Sequence, residues 1–291
     1  MITKKYIIAT LKFNICYEND EYFENCLSTY ENDFQGDADI YINIAKTSDC
    51  INPSYNNLVS VADSKYWYVN SEGNDCIFWH DSEIGCVTAH VCFSDDYSHV
   101  DVLLYNLDEI YNVSQKCFMF NVTGNAMHYI MQMHNGFVFH SSALVCESNG
   151  VAFSAKSGTG KSTHTELWIN QIPNTLMLND DTPVIKVMDD GSVIICGTPW
   201  AGTTGINTNM AVPLKALVFL ARGADNEIER VLPATKFQEF FDGVMSPLGT
   251  SMKMNLIDTM DKVFKQVPVY SLACNMEPDA AFVAYSGIFK Q

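Results

Sequence analysis

Arginine is nearly absent: the 291 residues contain only Arg222 and Arg230. Basic residues number 17 against 34 acidic ones, for a formal net charge of −17. A surface of that sign repels phosphate backbones and anionic bilayers, so neither nucleic acid nor membrane is an expected partner. A nucleotide is a different case, because its site needs only a local positive focus and a metal ion. No apolar run approaches the roughly 20 residues needed to cross a bilayer. Lys4-Lys5 before Tyr6-Ile7-Ile8-Ala9 resembles the start of a signal peptide. Lys12 and Asn14 interrupt that stretch early, however, and no small-residue cleavage site follows. The ten cysteines include no Cys-x-x-Cys pair, so zinc and dithiol redox sites have no sequence basis. Several, such as Cys146 and Cys196, lie inside apolar runs, where a free thiol acts as a small hydrophobe. Reduced thiols in a soluble cytoplasmic protein are the expectation.

What is present describes a globular chain: 47% hydrophobic and 18% charged residues, enough for a sizeable core and for two domains. Residues 1–103 read as a β-rich accessory domain. Tyr66–Val69, Cys76–Trp79 and Gly85–Phe93 are aromatic and β-branched runs divided by turn signals such as Ser71-Glu72-Gly73-Asn74-Asp75. From Leu103 the apolar spacing turns helical, through Tyr111 and then Phe118 to Met131, and Asn135-Gly136 is its terminator. Residues 104–291 therefore read as a second domain with a helical lead-in. Phe137–His140, Ala143–Cys146 and Val151–Ser154 are predicted strands, and Thr163–Trp168 a helix. Leu176–Leu178 is a buried strand ending on Asn179-Asp180-Asp181. A hairpin turns at Asp189-Asp190-Gly191, and Leu217–Leu220 is another buried strand. Helices around 235–245 and 250–266, a strand at 268–273 and a helix from Asp279 complete an α/β domain with a mixed sheet.

One segment carries chemistry. Ala155-Lys156-Ser157-Gly158-Thr159-Gly160-Lys161-Ser162 matches the phosphate-binding pattern G-x-x-x-x-G-K-[ST], with Ala155 at the first glycine. Gly-Lys-Ser alone would arise by chance in roughly one chain of this length in six or seven. Requiring Ser-Gly-x ahead of it reduces that below about 1 in 1,000. The context agrees, with an apolar strand before and a helix after. Gly158 and Gly160 let successive amides turn inward as an anion nest at a helix N-terminus. Ser157, Thr159 and Thr163 complete the nucleotide-binding stretch. Lys161 is placed to reach β- and γ-phosphates, and the Ser162 hydroxyl to ligate Mg²⁺. Asp180 and Asp181 end a buried strand, where a phosphate-loop protein keeps its metal-associated carboxylates. Adjacent carboxylates repel, which suits one of them to act as a base. His140 lies 21 positions before Lys161 on a strand expected to neighbour the loop strand.

In this order the residues resemble the kinase domain of the HPr kinase/phosphorylase family. That P-loop fold is shared with ATP-dependent phosphoenolpyruvate carboxykinase, and the likeness spans about residues 135–222. The resemblance implies a histidine before the loop (His140), the loop Ser157–Ser162, and the pair Asp180-Asp181 with an aspartate as base. Phe139-His140-Ser141-Ser142-Ala143 also resembles the carboxykinase segment in which a histidine lies near the metal. HPr kinases carry a Leu-Glu-x-Arg-Gly segment beyond the Asp pair, where this chain has Gly197-Thr198-Pro199-Trp200-Ala201-Gly202-Thr203-Thr204-Gly205. The second metal-side carboxylate and the HPr-docking segment are therefore not implied. Trp200 is either a cover over the substrate or a core tryptophan. The expectation is an ATP- or GTP-dependent, Mg²⁺-assisted kinase that phosphorylates a hydroxyl of a small molecule or peptide. The catalytic set is Asp181, Asp180, His140 and Lys161, and the metal ligands are Ser162, Asp180 and Asp181. The alternatives are a nucleotide-binding regulator without turnover and a carboxykinase-like lyase.

Overall fold

Alternation of buried and exposed side chains with period two builds the first part of the chain. In the computed structural model, residues 1–53, 57–62, 64–107, 117–247 and 249–290 are described. They form a mixed α/β protein of two mixed sheets and six helices. Contacts divide the chain into one unit of Met1–His134 with Pro247–Lys253, and another of Asn135–Ser246 with Met254–Gln291.

The first unit contains β1 (Ile2–Ile8), β2 (Leu11–Tyr17), α1 (Glu21–Leu27), β3 (Ile40–Thr47), β4 (Leu58–Ala62), β5 (Lys65–Val69), β6 (Asp75–Asp81), β7 (Cys86–Phe93), β8 (His99–Tyr105) and α2 (Phe118–Met133). The eight strands lie in the order β1-β2-β3-β8-β7-β6-β5-β4, with β2–β3 and β3–β8 parallel. Asp20 starts α1 by accepting from the Phe23 amide at 2.9 Å, an N-cap that satisfies an otherwise orphaned donor.

Two sequence expectations change here. Leu103 and Leu104 belong to β8, not to a helix, because Val100, Val102 and Leu104 bury one face of the strand while His99, Asp101 and Leu103 point to the other. The rest of that expected helix, 108–116, lies outside the described residues. The division between units falls after His134 rather than at residue 103, because α2 packs within the first unit. Trp67 Nε1 donates to the Tyr129 hydroxyl at 3.0 Å, and the Tyr129 ring meets Phe93 edge-on at 6.0 Å. The helix stops where expected, with Asn135 in the left-handed region at φ 56°.

The second unit contains β9 (Gly136–Val138), β10 (Ser141–Cys146), β11 (Asn149–Ser154), α3 (Lys161–Gln171), β12 (Leu176–Asp181), β13 (Val184–Val187), β14 (Val193–Cys196), β15 (Ala211–Arg222), β16 (Glu227–Val231), α4 (Phe237–Asp242), α5 (Gly249–Gln266, in this unit from Met254), β17 (Val269–Cys274) and α6 (Asp279–Phe289). Its strands run β12-β10-β11-β15-β14-β13-β9, and β17 pairs with β15 and β16. The 12-residue β15 joins the two parts of the sheet. Residues 211–213 pair antiparallel with β14, while later residues pair parallel with β11 and β17.

Strands buried on both faces read as continuous apolar runs, and their alternate residues enter two cores. Leu144, Val151, Phe153, Val218 and Leu272 pack with Trp168 of α3 and with Ala281 and Ala284 of α6. Ala143, Ala152, Leu217 and Phe219 face the other way, onto Phe240 of α4 and Leu256, Met260 and Val263 of α5. Cys196 is buried in this unit, and burial pushes its thiol up to about 12, so it stays protonated. Among the described residues no helix is long and apolar enough to cross a membrane.

Candidate functional site

The glycine-rich segment connects β11 directly to α3. Gly158 and Gly160 have φ of 75° and 119°, values that side chains rarely adopt, and a Cβ at either would meet nothing within 4 Å. Backbone conformation, not crowding within the protein, therefore dictates glycine at both positions. Gly160 is the N-cap of α3, so the first amides of that helix open on the loop. Arg222, at the end of β15, holds the loop from outside. Its Nη2 donates to the Gly158 carbonyl at 2.6 Å and its Nε to the Thr159 carbonyl at 3.4 Å. Sequence reasoning missed this residue, although being one of two arginines was a usable signal.

Strand pairing assembles the rest. β10 and β12 run antiparallel with Ser141 opposite Asp181 and Ser142 opposite Asp180. Directly opposed side chains share a face, so the two aspartates go different ways. Asp180 is buried and accepts from Ser142 Oγ at 2.6 Å; that hydroxyl is also 2.8 Å from Thr165 Oγ1 on α3. Asp181 is partly exposed, with its Oδ1 3.1 Å from His140 Nδ1. His140 lies just before β10, its amide donating to the Gly243 carbonyl and its carbonyl accepting from Ser154 Oγ.

Lys161 completes the cluster. Its Nζ lies 3.1 Å from His140 Nε2 and 3.4 Å from the Ala155 carbonyl. An ammonium can only donate, so Nε2 accepts and the ring proton resides on Nδ1, where Asp181 accepts it. The three side chains thus form a chain of donors and acceptors, Lys161 to His140 to Asp181. Burial pulls the Lys161 ammonium below the usual lysine range, opposed by the charges of Asp181 and Asp180. A partly desolvated cation in a cleft gains from an arriving anion. Ser162 is exposed on the first turn of α3, and Ser157 is exposed in the loop beside the half-buried Thr159; Thr163 is half-buried on α3.

Asn179 organises the carboxylate end and was also missed, being read only as part of a turn. It is fully buried. Its Nδ2 donates to Thr198 and to the Trp200 carbonyl, while its Oδ1 accepts from the Asp181 and Thr182 amides at 3.0 and 2.7 Å. The loop at 197–205 is thereby fixed to the strand end that carries Asp181. A Cβ on Gly202 would come within 2.9 Å of the Asp181 Cβ, so that loop approaches the carboxylate closely. The Trp200 side chain is half-buried and lies in neither core cluster.

A cavity of about 470 Å³ adjoins the cluster, with His140, Ser157 and Arg222 on one side and Lys236, Glu239 and Asp242 on another. Beneath the loop, His164 is 3% exposed, and its Nε2 accepts from Trp168 Nε1 at 3.0 Å. Burial lowers its pKa to about 4 from the ordinary 6.5. The unfolded chain binds the proton first on acidification, so His164 contributes stability in full above pH 6.5. That contribution is lost as pH falls towards 4, about 3 kcal/mol in all. Urea titrations at pH 7 and pH 4.5 are expected to show a drop in the unfolding free energy that is smaller in His164→Gln. An equal drop in both proteins would place the acid sensitivity elsewhere.

No family model matches this chain, and no curated protein gives a significant match. Among solved structures, the Hpr(Ser) kinase/phosphatase from Coxiella burnetii is similar at 12% identity, with a TM-score of 0.24, over 44% of this chain and 98% of that one. A likeness that slight bears on neither mechanism nor substrate.

Proposed function

We propose that the second unit is an Mg²⁺-assisted kinase, transferring the terminal phosphoryl group of ATP or GTP to a hydroxyl of a small molecule or peptide. The observation that carries this reading is the hydrogen-bonded chain Lys161–His140–Asp181 at the mouth of a glycine-rich loop opening onto a helix N-terminus. Loop amides and the Lys161 ammonium would stabilise charge on the phosphates, the dominant requirement of phosphoryl transfer. Lys161 would exchange His140 for phosphate oxygens. His140 would keep its Nδ1–H on Asp181 and orient that carboxylate, while Asp181 takes the acceptor's proton. The half-exposed side chains of His140 and Asp181 suit groups that meet a substrate.

The donor set also fits the metal. Ser162 Oγ and the partly exposed Asp181 carboxylate are hard oxygen ligands of the kind Mg²⁺ takes, with phosphates and water filling its remaining positions; Asp180, which points to the other face, would act on the metal through its water shell. When bound, Mg²⁺ would neutralise charge on the transferred group. Asp180, buried and tied to Ser142 and through it to α3, would couple the strand end to the loop helix. The 470 Å³ cavity at His140 falls within the range of small-molecule sites and carries both charge signs, in Lys236, Glu239 and Asp242. A polar acceptor of modest size suits it. The test is transfer of labelled γ-phosphate, from ATP and from GTP, to a panel of small alcohols, hydroxy amino acids and serine-containing peptides. A labelled product that requires Mg²⁺ supports the proposal. Nucleotide binding without transfer or hydrolysis would leave the regulator reading in its place.

A further inference from the structure

The first unit holds two sulfurs for which phosphoryl transfer has no use. Cys76 of β6 and Cys92 of β7 are direct antiparallel partners, and the register is regular from this pair to Trp79 opposite Ala89. Directly opposed residues share a face, with Cα atoms about 4.5–5.5 Å apart. A disulfide spans about 4.4–6.8 Å between Cα atoms, so one can close here with little movement of either strand. Both residues are free thiols, and their Sγ atoms lie 2.9 Å apart with Cys76 as the donor.

Their surroundings make the two unequal. Tyr68 stands opposite Cys76 on β5, Phe78 and Val87 belong to the same apolar cluster, and Cys76 is 1% exposed. Cys92 is half-buried and so within reach of a small reagent. Asn70 Nδ2 donates to its Sγ at 3.5 Å. The turn before β6 holds that amide in place, because Asn70 Oδ1 accepts from the Glu72 and Asn74 amides, each at 2.9 Å. Cys92 therefore receives two donors, while the Cys76 thiol can give its proton to Cys92 or to the Asn74 carbonyl at 3.6 Å. The bond from Cys76 holds the Cys92 thiol below the ordinary cysteine range, against burial and the charges of Asp101 and Glu72. The same bond, together with burial, pushes Cys76 up. An accessible thiol of lowered pKa beside a second thiol is the arrangement in which cysteine oxidation is reversible.

We propose that Cys76 and Cys92 form a redox modification site whose oxidant is a hydroperoxide, with Cys92 as the attacking sulfur and Cys76 as the resolving one. The Cys92 thiolate attacks a peroxide oxygen and the O–O bond breaks. The leaving alkoxide or hydroxide takes up the proton that Cys92 had shed, as alcohol or water. Cys92 is then a sulfenic acid. The Cys76 sulfur attacks it, the S–S bond forms as the S–O bond breaks, and the Cys76 proton leaves with the hydroxyl as water. The two sulfurs together give two electrons to the peroxide, and a thiol reductant restores them by exchange. The crosslink ties the β6–β7 hairpin at the end remote from its turn at 82–85.

The test exposes the full chain to hydrogen peroxide, blocks the remaining thiols, and maps the linked peptides by mass spectrometry over time. The wild type should lose Cys76 and Cys92 together, yield a Cys76–Cys92 peptide lighter by two hydrogens, and recover both thiols with dithiothreitol. Cys92 should react at least about tenfold faster than the exposed Cys50, since the thiolate is the nucleophile. In Cys76→Ala the Cys92 sulfenic acid should persist and be trapped by a 1,3-diketone, and in Cys92→Ala the fast reaction should vanish. The wild-type mapping decides the matter even where a variant folds poorly. Equal rates at Cys92 and Cys50, a first disulfide between other cysteines, or a Cys92 sulfenic acid that Cys76 does not resolve overturns the proposal. None of these outcomes touches the kinase reading, because the pair lies in the other unit.

Discussion

Lys161→Ala is expected to weaken Mg-ATP binding by about two orders of magnitude and to abolish transfer. The side chain is a desolvated ammonium at the head of α3 whose recorded side-chain bonds go to His140 and the Ala155 carbonyl. Hydrogen bonds to charged groups contribute about 1.5–3 kcal/mol each, and a P-loop lysine makes them to two phosphates. Alanine removes that charge without touching either core, so the variant should fold normally, as its melting temperature would show. It also leaves His140 Nε2 without the Lys161 donor, while the Nδ1–H still holds the ring on Asp181. Calorimetric titration with Mg-ATP decides the matter. Equal affinity in the wild type and the variant would remove the phosphate-binding assignment of the loop.

Asp181→Asn is expected to leave nucleotide binding largely intact and to cut turnover by about 10²-fold or more, the usual scale for a positioned base. The amide nearly preserves shape but cannot take a proton, and its oxygen can still accept from His140 Nδ1. Asp180→Asn should behave differently. Its carboxylate is buried and accepts from Ser142, so the amide oxygen can retain that bond while the charge is lost. Its expected effect is a raised Mg²⁺ requirement with smaller loss at saturating metal. Turnover measured across a Mg²⁺ series for both variants distinguishes the two roles. Normal turnover in Asp181→Asn would place the base elsewhere and return weight to the lyase and regulator readings.

Much of the candidate site was legible because its residues announce local structure. The run Val151–Ser154 followed by Ser157-Gly158-Thr159-Gly160-Lys161 can only be a strand entering a tight turn with left-handed glycines and leaving as a helix, and that is what forms. Asp180-Asp181 was readable because a short apolar run ends there. The partnership of His140 with Asp181 was not, since it depends on register. Leu144 of β10 lies opposite Met177 and Ala143 opposite Asn179, so Leu178 is an extra residue in β12. No local pattern encodes that irregularity, yet it sets which aspartate meets Ser142 and which is free to meet His140. Asn179 and Arg222 escaped for a related reason: their partners at 198–200 and 158–159 are distant in sequence and are mostly backbone carbonyls, which carry no residue signature.

The division between the units shows the same limit at larger scale. The change from strand-like to helix-like spacing near residue 103 was visible, but spacing reports the period of a segment and not the surface it packs against. Tyr129 joined α2 to Trp67 and Phe93, and so the contact boundary fell after His134. By itself the sequence determined the glycine-rich turn, the acidic strand end, most strands of the second unit and the helices around them. These follow from backbone preference and hydrophobic period, which act over a few residues. Only the tertiary structure decided which of the two aspartates faces His140, what holds the loop and where the cavity opens, because those depend on pairing register and side-chain packing across the fold.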